Sequence, residues 1–255
     1  MPAKTSDRSV FDIYAHEYDL ITNAAEREKY HKKEVAAIIK RFKPETALDA
    51  GCATGLTSTL LAEIGIATVG LDSSEAMIKV ATKKAKGQKL PLEYRLGRFE
   101  NLPTSMTKRF DLVVCLANSI SGVPTLAALK DSFRSFYRVL KPGGSLVLQM
   151  LNYGSMAEGV LQPIRATINN GIVWARYSQR RGKRLAVHVI RIDQNKKPPL
   201  LEPFVHEFDN FTPDQVQKTM GRVGFDRIRA FSDLSFSSRF GNRSRDLVLT
   251  AKRDR

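Results

Sequence analysis

Cysteine is scarce in this chain, and its two copies, Cys52 and Cys115, stand far apart, so neither a disulfide framework nor a zinc-binding spacing is available. Four scattered histidines, His16, His31, His188 and His206, likewise lack the spacing of a metal site. No apolar run approaches the roughly eighteen residues of a membrane helix, and the N-terminus, with Lys4, Asp7 and Arg8, has no signal-peptide core. The expectation is a cytoplasmic, soluble protein with no metal. Acidic residues are also in deficit: 26 Asp and Glu face 41 Lys and Arg, a net charge of +15 over 255 residues. Such an excess steers acidic partners such as nucleic acid, anionic lipid or phosphorylated metabolites. It is equally the balance of a widely solvated basic surface, because the charges are dispersed rather than gathered in one block. Aromatic residues do not interleave with Arg176, Arg180, Arg181, Lys183 and Arg184 in the manner of a recognisable RNA-binding module.

What is present is concentrated between Ala47 and Lys86. The run Ala47-Leu48-Asp49-Ala50 is apolar except for Asp49, Gly51-Cys52-Ala53-Thr54-Gly55 breaks it, and a helical stretch follows from Leu56 to Ile64. A second short strand, Ala67 to Leu71, ends at Asp72. Glycine in such a turn adopts positive φ and lets a ligand lie against the backbone, while N–H groups at the helix start point outward. An acid at the carboxyl end of the second strand is placed to accept both hydroxyls of a ribose. A dinucleotide fingerprint needs three glycines. Here the middle position is Ala53 and no third glycine opens the helix.

The rest of the chain reads as an α/β protein: a Rossmann-like, seven-stranded, mostly parallel sheet with helices on both faces and an antiparallel insertion after strand five. Val10 to Leu20 has the spacing of a short amphipathic helix and Glu26 to Phe42 that of a longer one. Ser73 or Ser74 caps a helix reaching Lys86. Strands are expected at Leu92 to Leu96, Phe110 to Leu116 and Ser145 to Leu151, with a helix from Pro124 to Leu140 stopped by Lys141-Pro142-Gly143-Gly144. Ile172 to Ser178 and Leu185 to Ile192 flank a hairpin turn, Phe204 to Phe208 adds a third antiparallel strand, and two strands close the chain at Gly224 to Phe231 and Arg245 to Lys252. The expected organisation is a helical lid over 1–44, a nucleoside-binding domain made of 45–152 and 211–255, and a substrate-side insertion over 153–210.

The segment Asp49-Ala50-Gly51-Cys52-Ala53-Thr54-Gly55, with Asp72 downstream, resembles the first motifs of the class I S-adenosylmethionine-dependent methyltransferases. Leu116-Ala117-Asn118-Ser119 and Asn152-Tyr153 are similar to segments of glycine N-methyltransferase and its small-molecule relatives, a likeness that covers most of the chain. The resemblance implies S-adenosyl-L-methionine as cofactor. It assigns the methionyl carboxylate to Arg27, the ribose to Asp72, an adenine-flanking ring to Phe99 and a backbone contact to Leu116. Tyr18, Gly51, Cys52, Ala53, Gly55, Ser73, Met77, Arg98, Glu100 and Ala117 complete the expected cofactor shell, and Asn118, Asn152 and Tyr153 the groups orienting the acceptor. Three departures stand out: Arg98 where relatives have an acceptor for the adenine amine, Gly122 where they often have histidine, and Leu151 where the glycine enzyme has an arginine for its substrate. Glycine is therefore a poor substrate. The expected activity is in-line methyl transfer to a small molecule, an amine first, with oxygen or carbon next. Glu158, Glu207 and Asp209 are weaker candidates for holding a cationic acceptor. An RNA or anionic-lipid methyltransferase and a non-enzymatic S-adenosylmethionine-binding protein are the rivals, and assembly as a homo-oligomer stays open.

Overall fold

A computed structural model describes residues 10–209 and 211–254. Lys4, Asp7 and Arg8, and the start of the expected lid, lie outside the described residues. Three helices come first: α1 (Val10–Ile13), α2 (Tyr18–Thr22) and α3 (Ala24–Phe42). The single helix expected over Val10 to Leu20 is thus broken. Tyr14 leaves helical geometry at φ −114°, ψ 34°, and Asn23 takes left-handed φ of 50°, turning the chain twice so that Tyr14 and Glu17 reach a distant sheet.

The nucleoside-type unit follows as β1 (Thr46–Ala50), α4 (Leu56–Glu63), β2 (Ala67–Asp72), α5 (Glu75–Ala85), β3 (Leu92–Leu96), β4 (Phe110–Cys115), α6 (Leu126–Val139) and β5 (Leu140–Leu151). After the insertion come α7 (Pro213–Val223), β10 (Asp226–Phe231) and β11 (Asp246–Lys252). The seven strands lie in the order β10-β11-β5-β4-β1-β2-β3, and β11 runs antiparallel to both of its neighbours while the other pairings are parallel. Alternation along the strands sends side chains to two covered faces. In β4, Val113 and Cys115 join a core with Phe133 and Phe136 of α6, whereas Leu112 and Val114 join one with Val35 and Ile38 of α3. The strand order reverses between β1 and β4, which opens a crevice at the carboxyl ends of both strands.

The insertion forms a separate antiparallel sheet: β6 (Leu161–Asn169), β7 (Ile172–Arg181), β8 (Arg184–Asp193) and β9 (Leu200–Asp209). It has four strands where three were expected. The additional one, β6, escaped notice because Pro163 lies inside it and a bulge between Pro163 and Arg165 interrupts its alternation, both marks of an edge strand. β7 and β8 join through a tight turn at Gly182, φ +59°, as the sequence predicts. One face of this sheet carries Trp174, Ser178, Val189 and Arg191 and is covered by the N-terminal helices, giving a third apolar cluster with Val10, Ile21, Tyr14 and Phe204.

Candidate active site

The crevice between β1 and β4 holds a cavity of about 200 Å³ lined by Gly51, Asp72, Ser73, Arg98, Phe99, Glu100, Ser119, Gly122 and Val123. Its floor is the turn after β1. Gly51 (φ +84°) and Gly55 (φ +91°) hold conformations that L side chains rarely adopt. A Cβ on Gly51 would lie 2.5 Å from Ser119 Oγ, and one on Gly55 would lie 2.1 Å from Tyr94 Oη, so both positions exclude a side chain sterically as well. The turn is tied to β2 because Gly51 N–H (2.7 Å) and Cys52 N–H (3.0 Å) both donate to Leu71 O.

Asp72 terminates β2 against this turn. Its Oδ2 accepts from Ala53 N–H and its Oδ1 from Ser74 N–H, each at 2.9 Å. Burial pushes its carboxyl up, and those backbone N–H groups oppose the shift. The carboxylate is therefore fixed in orientation with lone pairs left toward the cavity. Ser74, not Ser73, caps α5 by accepting from Met77 N–H at 3.2 Å; Met77 itself is buried and Ser73 is exposed at the cavity rim. Across the cavity, Phe99 leans on Phe136 with centroids 5.6 Å apart. Arg98 is exposed and its Nη2 donates to Glu100 Oε1 at 3.1 Å, so Glu100 supplies an acceptor at the wall where the sequence places an arginine.

The wall opposite Asp72 is the segment after β4. Leu116 is buried, while Ala117 (φ 52°) and Asn118 (φ 69°) are consecutive non-glycine residues in left-handed geometry, a strained arrangement of the kind found at binding sites. Ala117 N–H donates to Gln149 Oε1 at 3.3 Å. Ser119 Oγ donates to Leu116 O at 2.9 Å and to Gly51 O at 3.3 Å, bridging the two sides of the crevice. Ser119 and Val123 were not singled out in the sequence. Their signal lay only in following the Asn-Ser pair around the strained turn.

Asn118 and Tyr153 come together, Asn152 turns elsewhere, and none of the three lines the cavity. Asn118 Nδ2 donates to Tyr153 Oη, and Asn118 Oδ1 accepts from Leu151 N–H and from Ser121 Oγ, both at 2.9 Å. Asn152 Nδ2 donates to Asn242 O at 3.1 Å and Ser244 O at 2.9 Å. Tyr153 is buried, which raises its phenol far above the ordinary value. Among the described residues these side chains are committed to one another and to backbone. Glu158 pairs with Arg180 (3.3 Å), and Glu207 with Arg181 (3.7 Å) and Arg184 (3.4 Å), around the β7–β8 hairpin, away from the cavity lining.

The N-terminal helices close the remaining side. Asp19 accepts from Thr54 Oγ1 (2.6 Å) in the glycine turn and pairs with Lys84 (2.8 Å). Tyr18 packs edge-on against Phe11 with centroids 5.8 Å apart. Arg27 lies one turn before His31, whose Nε2 is 2.8 Å from Thr57 Oγ1 at the start of α4. Arg27 Nε is buried with no hydrogen-bond partner among the described residues. A guanidinium with an unpartnered Nε, a glycine cradle and a fixed carboxylate at a strand end are together a set that fits a nucleoside carrying an amino-acid carboxylate. S-adenosylmethionine has that combination. Among the described residues, no group of three His, Cys, Asp or Glu side chains gathers to hold a metal ion, and no helix is long and apolar enough to cross a membrane.

Fold and geometry together give this chain the Rossmann-like methyltransferase fold, and residues 48–148 hold its central unit. Those residues match the family model described as "Methyltransferase domain". A ubiquinone biosynthesis O-methyltransferase from Xanthomonas oryzae pv. oryzae is 34% identical over 105 residues, 41% of this chain and 42% of that enzyme. The chain thus spans less than half the length of that relative. Among solved structures, the CcbJ methyltransferase from Streptomyces caelestis superposes with a TM-score of 0.75 at 21% identity, covering 87% of this chain and 89% of that one. The S-adenosylmethionine-bound CalS10, an amino pentose methyltransferase from Micromonospora echinaspora, gives 0.73 at 19% identity over 97% and 99%.

Proposed function

We propose that this protein transfers a methyl group from S-adenosylmethionine to a small molecule whose acceptor atom is an amine nitrogen. The observation that carries the reading is the joining of the glycine turn, the fixed Asp72 carboxylate and the Phe99 face around one cavity at the strand-order reversal. Asp72 would hold the ribose, Phe99 and Glu100 the adenine, and Arg27 the methionyl carboxylate, a guanidinium fork suited to a carboxylate. Bound S-adenosylmethionine supplies a methyl group made electrophilic by its sulfonium. The protein's own contribution is positioning. Ser119 and the strained Ala117-Asn118 turn shape the wall, and the N-terminal helices exclude water. Such alignment is worth several kcal/mol, up to about 10 in well-oriented systems.

Residues 1–44 act here as a lid, 45–152 with 211–255 hold the cofactor, and 153–210 form the acceptor side. The family match stops at residue 148, before the inserted sheet, so it bears on the cofactor half and leaves acceptor choice to the insertion. CalS10, whose fold spans nearly all of this chain, is an amino pentose methyltransferase, a precedent on this fold for an amine-bearing acceptor. The pairing of Arg180, Arg181 and Arg184 with Glu158 and Glu207 neutralises much of the hairpin's charge and favours a small acceptor over RNA or a lipid surface. Oxygen is the second reading, favoured by the ubiquinone O-methyltransferase relative. Radiolabel transfer to a panel of amines, phenols and carboxylates tests both. Labelling of amines is expected; labelling confined to phenols moves the acceptor to oxygen, and tight cofactor binding with no transfer to any class removes the enzymatic reading.

A further inference from the structure

On the inserted sheet, two arginines face each other. Arg165 of β6 pairs in register with Arg176 of β7, and like charges directly opposite one another destabilise a strand pair. Arg176 stands between Trp174 and Ser178 on the face that the N-terminal helices cover. Its Nε is buried and, like Arg27 Nε, has no hydrogen-bond partner among the described residues. Burial is what most disfavours the charged form of Arg176; the Tyr18 phenol favours that form, and the charges of Arg165 and Arg27 oppose it. Among the described residues no carboxylate pairs with any of the three guanidinium groups. Elsewhere in the same sheet the opposite holds: Arg191 is buried against Glu17, Glu202 and Asp193.

A guanidinium whose Nε is buried without a partner is costly, so Arg176, faced in register by the exposed Arg165, marks a place completed by an anion. On the methyl-transfer reading the single methionyl carboxylate of the cofactor pairs with Arg27, which leaves Arg165 and Arg176 without a counter-charge. Resting on the methyl-transfer reading, we propose that the acceptor molecule carries an anionic group, a carboxylate or a phosphate, held by Arg165 and Arg176 of the inserted sheet. Arg27 then keeps the cofactor's carboxylate. The arginines thereby fix one end of the acceptor.

Calorimetric titration of the full chain decides this. S-adenosylhomocysteine affinity is measured first, and its absence sinks the methyl-transfer reading itself. With the protein saturated in S-adenosylhomocysteine at constant ionic strength, pyrophosphate and succinate are then titrated. At least one is expected to bind, pyrophosphate pointing to a phosphate acceptor and succinate to a carboxylate. Arg165→Gln and Arg176→Gln should each weaken that binding about tenfold or more, as loss of a charge-assisted fork requires, while S-adenosylhomocysteine affinity stays within about threefold. Arg176→Lys should recover part of the loss. Arg176→Met should raise the melting temperature of the ligand-free protein, since it removes an unpaired buried charge. The proposal is overturned if neither anion binds, if binding survives both Gln substitutions, or if Arg176→Met lowers the melting temperature. It is also overturned if Arg176→Gln weakens S-adenosylhomocysteine about tenfold and the anion competes with it, which would give Arg176 to the cofactor.

Discussion

Trp174 donates its indole N–H to Glu17 Oε2 at 2.8 Å, joining residues 157 positions apart in a buried contact. The same carboxylate holds Arg191, whose guanidinium also lies 4.9 Å over the Tyr14 ring and 5.7 Å over Trp174. Tyr14 in turn donates to Glu202 at 2.8 Å, and burial with that neighbouring carboxylate pushes its phenol up to about 12. Through this network the N-terminal helices are fastened to the inserted sheet, while Asp19 fastens them to the glycine turn.

Arg191→Ala strands Glu17 and Glu202 without their partner. Breaking a buried pair in this way costs about 3–5 kcal/mol. The expected result is a lower urea midpoint together with a red shift of Trp174 emission, which is clean to read because the chain has a single tryptophan. An unchanged spectrum would show that the helices dock without this network.

Asp72→Ala removes the carboxylate assigned to the ribose. Hydrogen bonds to charged groups contribute about 1.5–3 kcal/mol each, so S-adenosylhomocysteine affinity should fall about tenfold to a hundredfold. Parent-like affinity by calorimetry would end the ribose assignment.

Gly55→Ala must place a Cβ 2.1 Å from Tyr94 Oη at φ +91°. Strain of that kind costs about 1–3 kcal/mol, and movement of Tyr94 or the turn should weaken cofactor binding as well. Gly65→Ala is the control for conformation alone: Gly65 has φ +87° but nothing within 4 Å, so it should lose stability and keep affinity.

Asp49 is buried beneath the turn, where Ser58 Oγ donates to it at 2.6 Å, and burial raises its carboxyl from 3.8 to about 6. A carboxyl raised on folding stabilises the protein below its unfolded value and loses that contribution as pH climbs through the folded value. The difference is worth on the order of 3 kcal/mol. Denaturation of the parent and of Asp49→Asn between pH 4 and pH 7 should show the parent losing ground relative to the variant as pH rises. A constant gap would refute the shift.

Asn118→Ala separates scaffold from chemistry. It deprives Leu151 N–H, Ser121 Oγ and Tyr153 Oη of a partner, so a stability loss of about 1–3 kcal/mol is expected. If Asn118 also orients the acceptor, kcat falls beyond what the surviving folded fraction explains; if kcat per folded molecule is kept, its role is to hold the strained turn.

Much of the cofactor half was legible along the chain because its signals are local. A strand, a glycine turn and an acid at the next strand's end are neighbours in sequence, and the nearly continuous burial of β1, β2 and β4 follows from the apolar runs themselves. The edge strand β6 was not, since Pro163 and a bulge erase the alternation on which such reading depends. Nor was the division of the first helix, where Tyr14 and Glu17 answer to partners in β7, β8 and β9 rather than to helix propensity. The sequence by itself determined the order of elements in the seven-stranded sheet, the cradle at Gly51 and Gly55, and the acid Asp72 that closes on it, all products of short-range backbone preference and periodicity. Only the tertiary structure decided that Ser119 bridges the crevice, that Asn118 bonds to Tyr153, Ser121 and Leu151, and that Arg165 stands opposite Arg176. Those relations arise from the packing of segments far apart in the chain, and no local preference encodes which buried charge finds a partner and which does not.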